Sequence, residues 1–374
     1  MKRVLLTATV QSHICQFHKP LMKMLREHGY EVHVAARDNL AEKNGLKMEY
    51  ADRVFDVPFE RSPLDCKNIA AYKELKAILR ENTYDIVHTN TPVASVLTRM
   101  AARKYRRSGA KVFYTAHGFH FYDGAPLKNW LLYYPIEFLA SCWTDVLITM
   151  NQEDYRRAAK LRAKEVRFVH GVGVDLKQFD LRWDDTQREQ KRQALGVAAD
   201  EIMLLSVGEL NKNKNHEVII RAISEMDHSK IKYFICGNGP LETYLKDLIK
   251  ELNLNDCVEL LGYRRDIAEL NQVADLFVFP SLREGLPVAL IETMAAGNAV
   301  VSSDIRGARD LIEQNKGGML CEPKNKDAFQ IAIRALIENS VQRNDFGKYN
   351  QTVAKVYSLQ NIVSEYGVPY GIKI

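Results

Sequence analysis

Pro280-Ser-Leu-Arg-Glu-Gly-Leu-Pro-Val-Ala-Leu-Ile-Glu-Thr-Met-Ala-Ala-Gly297 is the stretch on which the rest of the chain can be arranged. Just before it, Ala274-Asp-Leu-Phe-Val-Phe279 is a short apolar run that reads as a buried strand. After it, Val288 to Ala296 has helix-forming composition with no internal Gly or Pro. The expected unit is strand, tight turn, helix. Gly285 can take backbone angles that other residues avoid, and Pro287 suits the first turn of a helix, where its missing N–H would be unpaired anyway. Such a turn points N–H groups and the positive end of a helix dipole at a neighbouring anion, a preference of about 0.3–2 kcal/mol. Phosphate is the expected guest, at the turn formed by Gly285, Leu286, Pro287 and Val288.

Two carboxylates frame the turn, Glu284 before the helix and Glu292 within it. With a helix starting near Leu286, Glu292 lies about 9 Å along the axis. That is too far for a tight carboxylate dyad. It suits an elongated ligand with hydroxyls at both ends and an anion between, although two solvated acids at a helix start would give the same pattern. Glu284-Gly-Leu-Pro-Val-Ala-Leu-Ile-Glu292 resembles the signature of retaining glycosyltransferases of the GT-B fold, family 4, and further motifs follow the family's order along nearly the whole chain. The resemblance implies that Glu284 contacts hydroxyls of the donor sugar and that Glu292 holds the ribose of its nucleotide.

A chain of 374 residues exceeds a usual single core, so two domains are expected. Hydrophobic residues at 46% and charged residues at 26% are those of a globular protein. The six cysteines are scattered without Cys-x-x-Cys or Cys/His spacing, which argues for a reducing compartment and against a structural metal. Met1 to Thr9 has too short an apolar run for a secretory leader and reads as a first strand. Charge is uneven: residues 1–180 carry 28 Lys/Arg against 20 Asp/Glu, and residues 181–374 carry 24 against 27. A basic first half, with clusters at 99–107 and 156–164, suits anionic partners such as a membrane surface or a phosphorylated acceptor, and is equally compatible with solvated helix faces.

From the start, strands and helices alternate: Val4–Thr9, Pro20–His28, Glu31–Ala36, Asn68–Glu81, Tyr84–His88, Ala94–Arg107, Lys111–Thr115, Leu127–Ser141, Asp145–Thr149. This implies a parallel sheet with ligands beyond the carboxyl ends of its strands. The first strand-end loop, Val10 to Phe17, has no glycine but offers Gln11, Ser12 and His13. His88, ending a strand, reads as structural. Thr115-Ala-His-Gly-Phe-His-Phe-Tyr-Asp123 places His117, His120 and Asp123 in one loop, with a proton acceptor expected near neutral pH. It matches the family's His-Gly segment, so the resemblance implies that His117 binds the region of the sugar's 6-hydroxyl. Gln11, Ser12, His13, His120 and Asp123 are then candidate acceptor contacts. Trp130 to Trp143 is the most aromatic stretch; Pro135 and Glu137 interrupt it too much to span a bilayer, leaving a core helix or a lipid-facing surface.

His170-Gly-Val-Gly-Val-Asp175 resembles the segment that closes the family's first domain, and the boundary is placed near residue 180. In the second half, Ile202 to Gly208 reads as a strand followed by a Lys/Asn loop. The family usually places Arg directly after that Gly and Lys five residues later; here Glu209 stands at the first position and Lys214 at the second. Asn211, Lys212 and Asn213 are the residues available to compensate. Gly237 and Gly239 form a tight turn lining the nucleotide site, and the backbone at Arg265 matches the family's base-binding loop.

The expected fold is therefore α/β, GT-B, with two Rossmann-like doubly wound domains facing across a cleft: 1–180 for the acceptor, 181–358 for the nucleotide sugar, and 359–374 crossing back to the first domain. The resemblance implies retaining transfer from a UDP-hexose or UDP-N-acetylhexosamine to a sugar acceptor, a lipid-diphosphate-linked one among the candidates, in surface polysaccharide synthesis. Catalysis falls to His117, Glu284 and Lys214. No Asp-x-Asp is present, so no metal or other cofactor is expected, and no nucleic-acid partner. The expected location is cytoplasmic, peripheral on the inner face of the plasma membrane. A GT-B sugar-nucleotide epimerase, a nucleic-acid-binding protein using the basic half and a two-carboxylate glycoside hydrolase remain open at this point.

Overall fold

The computed structural model describes every residue except Lys43, Asn44, Arg182 and Ile374. It divides into two compact units, residues Met1–Gly173 with Leu359–Ile374, and Val174–Ser358.

Unit 1 carries seven parallel strands: β1 (Lys2–Val10), β2 (Tyr30–Arg37), β3 (Arg53–Asp56), β4 (Ile86–Thr89), β5 (Lys111–Ala116), β6 (Val146–Thr149) and β7 (Glu165–Phe168), in the order β3-β2-β1-β4-β5-β6-β7. The connecting helices are α1 (Gln11–Phe17), α2 (Lys19–Glu27), α3 (Lys67–Glu81), α4 (Pro92–Ala102), α5 (Leu127–Ser141) and α6 (Gln152–Ala158). From Val4 to Val10, β1 is buried on both faces, the mark of a central parallel strand. The stretch Val10–Phe17, expected as a loop, folds into α1. It contains no Gly or Pro to break a helix, and Ile14 and Cys15 turn into the core. The short strands β3 and β7 lie at the sheet edges, half exposed and without an apolar run that would have marked them in the sequence.

Unit 2 begins at Val174, whose N–H donates to Tyr357 O. Phe179 packs into this unit's core. Both contacts set the division a few residues before the boundary expected near 180. After α7 (Asp185–Ala194) come β8 (Ile202–Val207), α8 (His216–Ser224), β9 (Ile231–Cys236), α9 (Glu242–Glu251), β10 (Val258–Gly262), α10 (Ile267–Val273), β11 (Leu276–Phe279), α11 (Val288–Ala296), β12 (Ala299–Ser303), α12 (Arg306–Arg309), β13 (Gly318–Cys321), α13 (Lys326–Glu338) and α14 (Ser340–Ala354). The strands are parallel in the order β10-β9-β8-β11-β12-β13. Side chains alternate between two cores: Leu204, Ile235, Val278 and Val301 face α8 and α13. Leu205, Phe234, Phe277 and Val300 face α11.

Each sheet thus reverses direction once, at β1/β4 and at β8/β11, the topological switch point beyond which doubly wound sheets bind ligands. Pairing of β8 with β11 stops at Leu205/Phe277, short of both carboxyl ends, so the two strands part there. The last helix, α15 (Leu359–Tyr370), belongs to unit 1. There Tyr370 Oη meets the buried His88 Nδ1 at 2.6 Å, and His88 Nε2 meets Thr115 Oγ1 at 2.8 Å. With both ring nitrogens occupied, His88 is structural, as its sequence reading has it.

Candidate active site

In unit 2, the loops after β8, β9 and β11 converge at the switch point. Lys214 Nζ donates to Glu284 Oε1 at 2.7 Å, both side chains about one-fifth exposed. The ammonium also lies 5.3 Å from the centre of the Phe279 ring. Asn213 Nδ2 donates to Arg283 O at 3.0 Å, and Leu282 N–H to Asn213 O at 2.7 Å, so the two loops are laced backbone to side chain. Asn211 accepts Lys214 N–H through Oδ1. Both asparagines therefore shape the loop first. Glu209 and Lys212 are exposed.

Glycine is demanded here by contact. A Cβ on Gly237, whose φ is +143°, would stand 2.0 Å from Gly208 O, and one on Gly239 would stand 2.5 Å from Leu210 O. These residues let the backbones at Gly208, Leu210 and the Gly237–Gly239 turn come together. Gly285, by contrast, does not use left-handed angles. Its part is in another close approach: a Cβ on Gly307 would meet Gly285 O at 2.4 Å. Pro287 is the cap residue, and α11 starts at Val288, later than the sequence implied, with no side chain capping it. Leu286 packs on the core and Arg265 is exposed at the end of the β10 loop, where Gly262 O accepts Gly237 N–H.

Glu292, one turn into α11, makes no hydrogen bond or ion pair among the described residues, and burial pushes its carboxyl up to about 7. Arg306, unnoticed in the sequence, is buried at the start of α12 and donates through Nε to Glu284 O at 3.2 Å. Nothing in its local sequence marks it; only the fold brings it beside the Glu284 turn.

In unit 1, β1 and β4 end beside His13, His117 and Thr91. Thr91 holds φ +55°, and its hydroxyl accepts Thr9 N–H at 2.9 Å. His13 Nε2 and His117 Nε2 stand 3.3 Å apart. Burial, with neighbouring histidines, holds His117 well below the ordinary imidazole range, and burial with Arg61 brings His13 to about 4. A proton acceptor titrating near neutrality was expected in this loop. The half-buried ring instead stays neutral at pH 7 and offers hydrogen bonds. The loop after β5 is pinned by the first turn of α6: Phe119 N–H donates to Asp154 and Asp123 N–H to Glu153. Asp123 pairs with Arg157 at 2.5 Å. His120 stacks on Tyr133, rings 4.5 Å apart. Ser12 exchanges hydrogen bonds with Asn39, and Gln11 is buried against Ala36 O; both brace α1. The more polar of two adjoining cavities, about 240 Å³, is lined by Thr9, Val10, His13, Arg61, Thr91, His120 and Tyr133. An apolar one of about 220 Å³, with Val96, Leu97, Phe119 and Ile136, shares Pro92, Val93, His120 and Tyr133 with it.

The basic clusters read from the sequence are partly consumed inside. Arg99 is fully buried, bonded to Glu137 at 2.5 and 3.0 Å. Arg106 pairs with Asp145. Glu137 therefore faces inward on α5, and Leu127, Leu131, Leu132 and Leu139 face outward, 73, 70, 46 and 58% exposed. Among the described residues, no helix is long and apolar enough to cross a membrane.

Two doubly wound parallel-sheet units, each with its own topological switch point, define an α/β protein of the GT-B fold. Residues 187–353 match the family described as Glycosyl transferases group 1, and residues 20–178 match Glycosyltransferase Family 4. EpsD of Bacillus subtilis (strain 168), a glycosyltransferase by assignment, is 38% identical over 97% of this chain and 95% of its own length. The UDP-Gal:alpha-D-GlcNAc-diphosphoundecaprenol alpha-1,3-galactosyltransferase of Escherichia coli is 29% identical over 81% of this chain and 80% of its own. The crystal structure of Anabaena Alr3699/HepE in complex with UDP superposes with a TM-score of 0.81 at 20% identity, covering 99% of this chain and all of that one. The chain belongs to the GT4-type glycosyltransferases of GT-B fold, and is an enzyme of that class.

Proposed function

We propose that the enzyme moves a hexose or N-acetylhexosamine from a UDP-sugar, with retention at the anomeric carbon, to a sugar acceptor carried on a lipid diphosphate during surface polysaccharide assembly. The observation that carries this reading is the Lys214–Glu284 pair beside the uncapped start of α11, at the switch point of the unit 2 sheet. A diphosphate drawn to Lys214 and the α11 amides separates the pair. Glu284 is then released to accept hydrogen bonds from the sugar hydroxyls. Glu292 takes the ribose, and the backbone around Gly237, Gly262 and Arg265 meets the base. As the C1–oxygen bond to the diphosphate breaks, the charge on the leaving oxygen is stabilised by Lys214 and the helix amides. The acceptor oxygen bonds C1 on the same face and passes its proton to that leaving phosphate oxygen. This scheme needs no metal.

His117 offers its neutral ring to sugar hydroxyls. The polar cavity of unit 1, with Arg61, suits the acceptor's sugar and diphosphate, and its apolar neighbour suits the start of a lipid tail. The outward leucines of α5 support a peripheral place on the cytoplasmic face of a membrane. The name of the Escherichia coli relative, with its UDP-sugar and diphosphoundecaprenol, supports donor and acceptor alike. No nucleic acid enters this reading.

The test is a panel of UDP- and GDP-sugars screened for thermal stabilisation and for transfer to a synthetic prenyl-diphosphate sugar, with the product anomer read by NMR. Stabilisation by a UDP-sugar and an axial-to-axial outcome are expected. Indifference to every nucleotide sugar overturns the reading, and a donor converted without acceptor favours the epimerase.

A further inference from the structure

Unit 1 gathers more imidazole than the reading above employs. His13 comes from α1, His18 from the junction of α1 and α2, and His117 from the residue after β5. One ring nitrogen of each lies within 4.8 Å of one on both of the others. The closest pair, His13 Nε2 and His117 Nε2, is 3.3 Å apart. On a tetrahedral ion with metal–nitrogen bonds of about 2.0–2.1 Å, two ligand nitrogens stand about 3.3 Å from one another, so this pair already has the spacing of shared coordination.

A second observation concerns His18. Its side chain is 1% exposed, yet among the described residues Nε2 has no hydrogen-bond partner. A buried polar nitrogen left unpaired destabilises the fold, and a ligand that engages it removes that cost. The ring of His18 stands 5.4 Å, centre to centre, from the rings of both His13 and His117. His88, 6.3 Å from His18, is excluded as a further ligand because Tyr370 and Thr115 already occupy its nitrogens.

We propose that His13, His18 and His117 bind one divalent transition-metal ion of the zinc class, with the fourth position filled by water or by an oxygen ligand entering from the polar cavity. A set of three imidazoles without carboxylates selects zinc, cobalt or nickel over magnesium or calcium. Three protein ligands with one open position is also the arrangement of exchangeable rather than closed zinc sites. Arg61 lines the same cavity and repels a cation, but its exposed guanidinium is screened by water and salt. Resting on the assignment of His117 to sugar hydroxyls, a bound ion withdraws that ring from the substrate. Zinc is then an inhibitor of transfer and not its cofactor.

The full chain, stripped with chelator, is titrated with Zn²⁺ against a chromophoric chelator and with Co²⁺ in the visible range. One ion per chain and tetrahedral cobalt bands are expected, and His13→Gln and His18→Gln each weaken binding at least tenfold. Zn²⁺ also raises the melting temperature of the unsubstituted chain where Mg²⁺ does not, a readout that survives if a variant fails to fold. Absence of stoichiometric binding, or equal affinity in all three proteins, overturns the site. Binding is measured without donor, so it stands or falls apart from the glycosyl-transfer reading. In the transfer assay, the zinc concentration that halves the rate rises at least tenfold in His18→Gln, and an unchanged value overturns the inhibitory role.

Discussion

UDP binding should release protons near neutral pH, and Glu292 is the group of the protein that supplies them. Its carboxyl, pushed up to about 7 by burial and lacking any partner among the described residues, is about half protonated at pH 7 in the free protein. A ribose that donates two hydroxyl hydrogen bonds to the carboxylate favours the charged form. Lowering the value by one unit to about 6 leaves about a tenth of the chains protonated, so each binding event expels about 0.4 proton at pH 7. The same linkage raises the apparent affinity about fivefold between pH 6 and pH 8. Isothermal titration of UDP in buffers of different ionisation heat reads the proton count as a slope. Glu292→Gln should lower that slope by about 0.4, leaving only what the terminal phosphate of UDP itself releases, and weaken the pH dependence. A slope of zero in the unsubstituted enzyme, or the same slope in the variant, refutes the placement of Glu292 against the ribose. Stability carries the complementary sign. Because the folded value lies above that of the unfolded chain, the protonated acid favours folding: its contribution is complete below about pH 4.5 and is lost as pH rises through 7. The loss is at most about 3 kcal/mol, less whatever water relieves. Glu292→Gln should therefore gain stability relative to the parent at pH 8 and not at pH 4.

Lys214→Ala and Glu284→Gln each remove one charge-assisted contact worth about 1.5–3 kcal/mol and should cut kcat/KM about 10- to 150-fold with little change in melting temperature; parental turnover in both would falsify their assignment. Breaking the buried Arg99–Glu137 pair with Glu137→Ala should cost about 3–5 kcal/mol in urea unfolding, whereas an exposed pair at that site would cost under about 1 kcal/mol. Gly307→Ala drives a Cβ against Gly285 O and should weaken UDP binding at least tenfold, because the Glu284–Gly285 turn must shift; unchanged binding would show that the turn has slack. Replacing Leu131 and Leu139 together with Asp should lower cosedimentation with anionic liposomes at least fivefold and leave UDP binding intact.

Much of this enzyme could be read from one dimension. The alternation of apolar runs with helical stretches defined α/β architecture, and α5 spans the residues read for it while α11 ends at Ala296, where Gly297 interrupts the run. The strand, turn and helix around Glu284 were legible because their residues lie next to one another in sequence, whereas Lys214 was singled out only by the resemblance to the family. Three matters were decided only in three dimensions. Strand order, and with it the switch point that brings Lys214 to Glu284 across 70 positions, depends on which strands pair, and an apolar run does not name its neighbour. The cluster of basic residues at 99–107 looked like surface until packing drew Arg99 against Glu137 and turned the leucines of α5 outward. Arg306, Glu292's altered acidity and the meeting of His13, His18 and His117 follow from burial and proximity, which are properties of neighbours distant along the chain. Local chemistry is written in the order of residues; the surroundings that tune it exist only after the chain has folded.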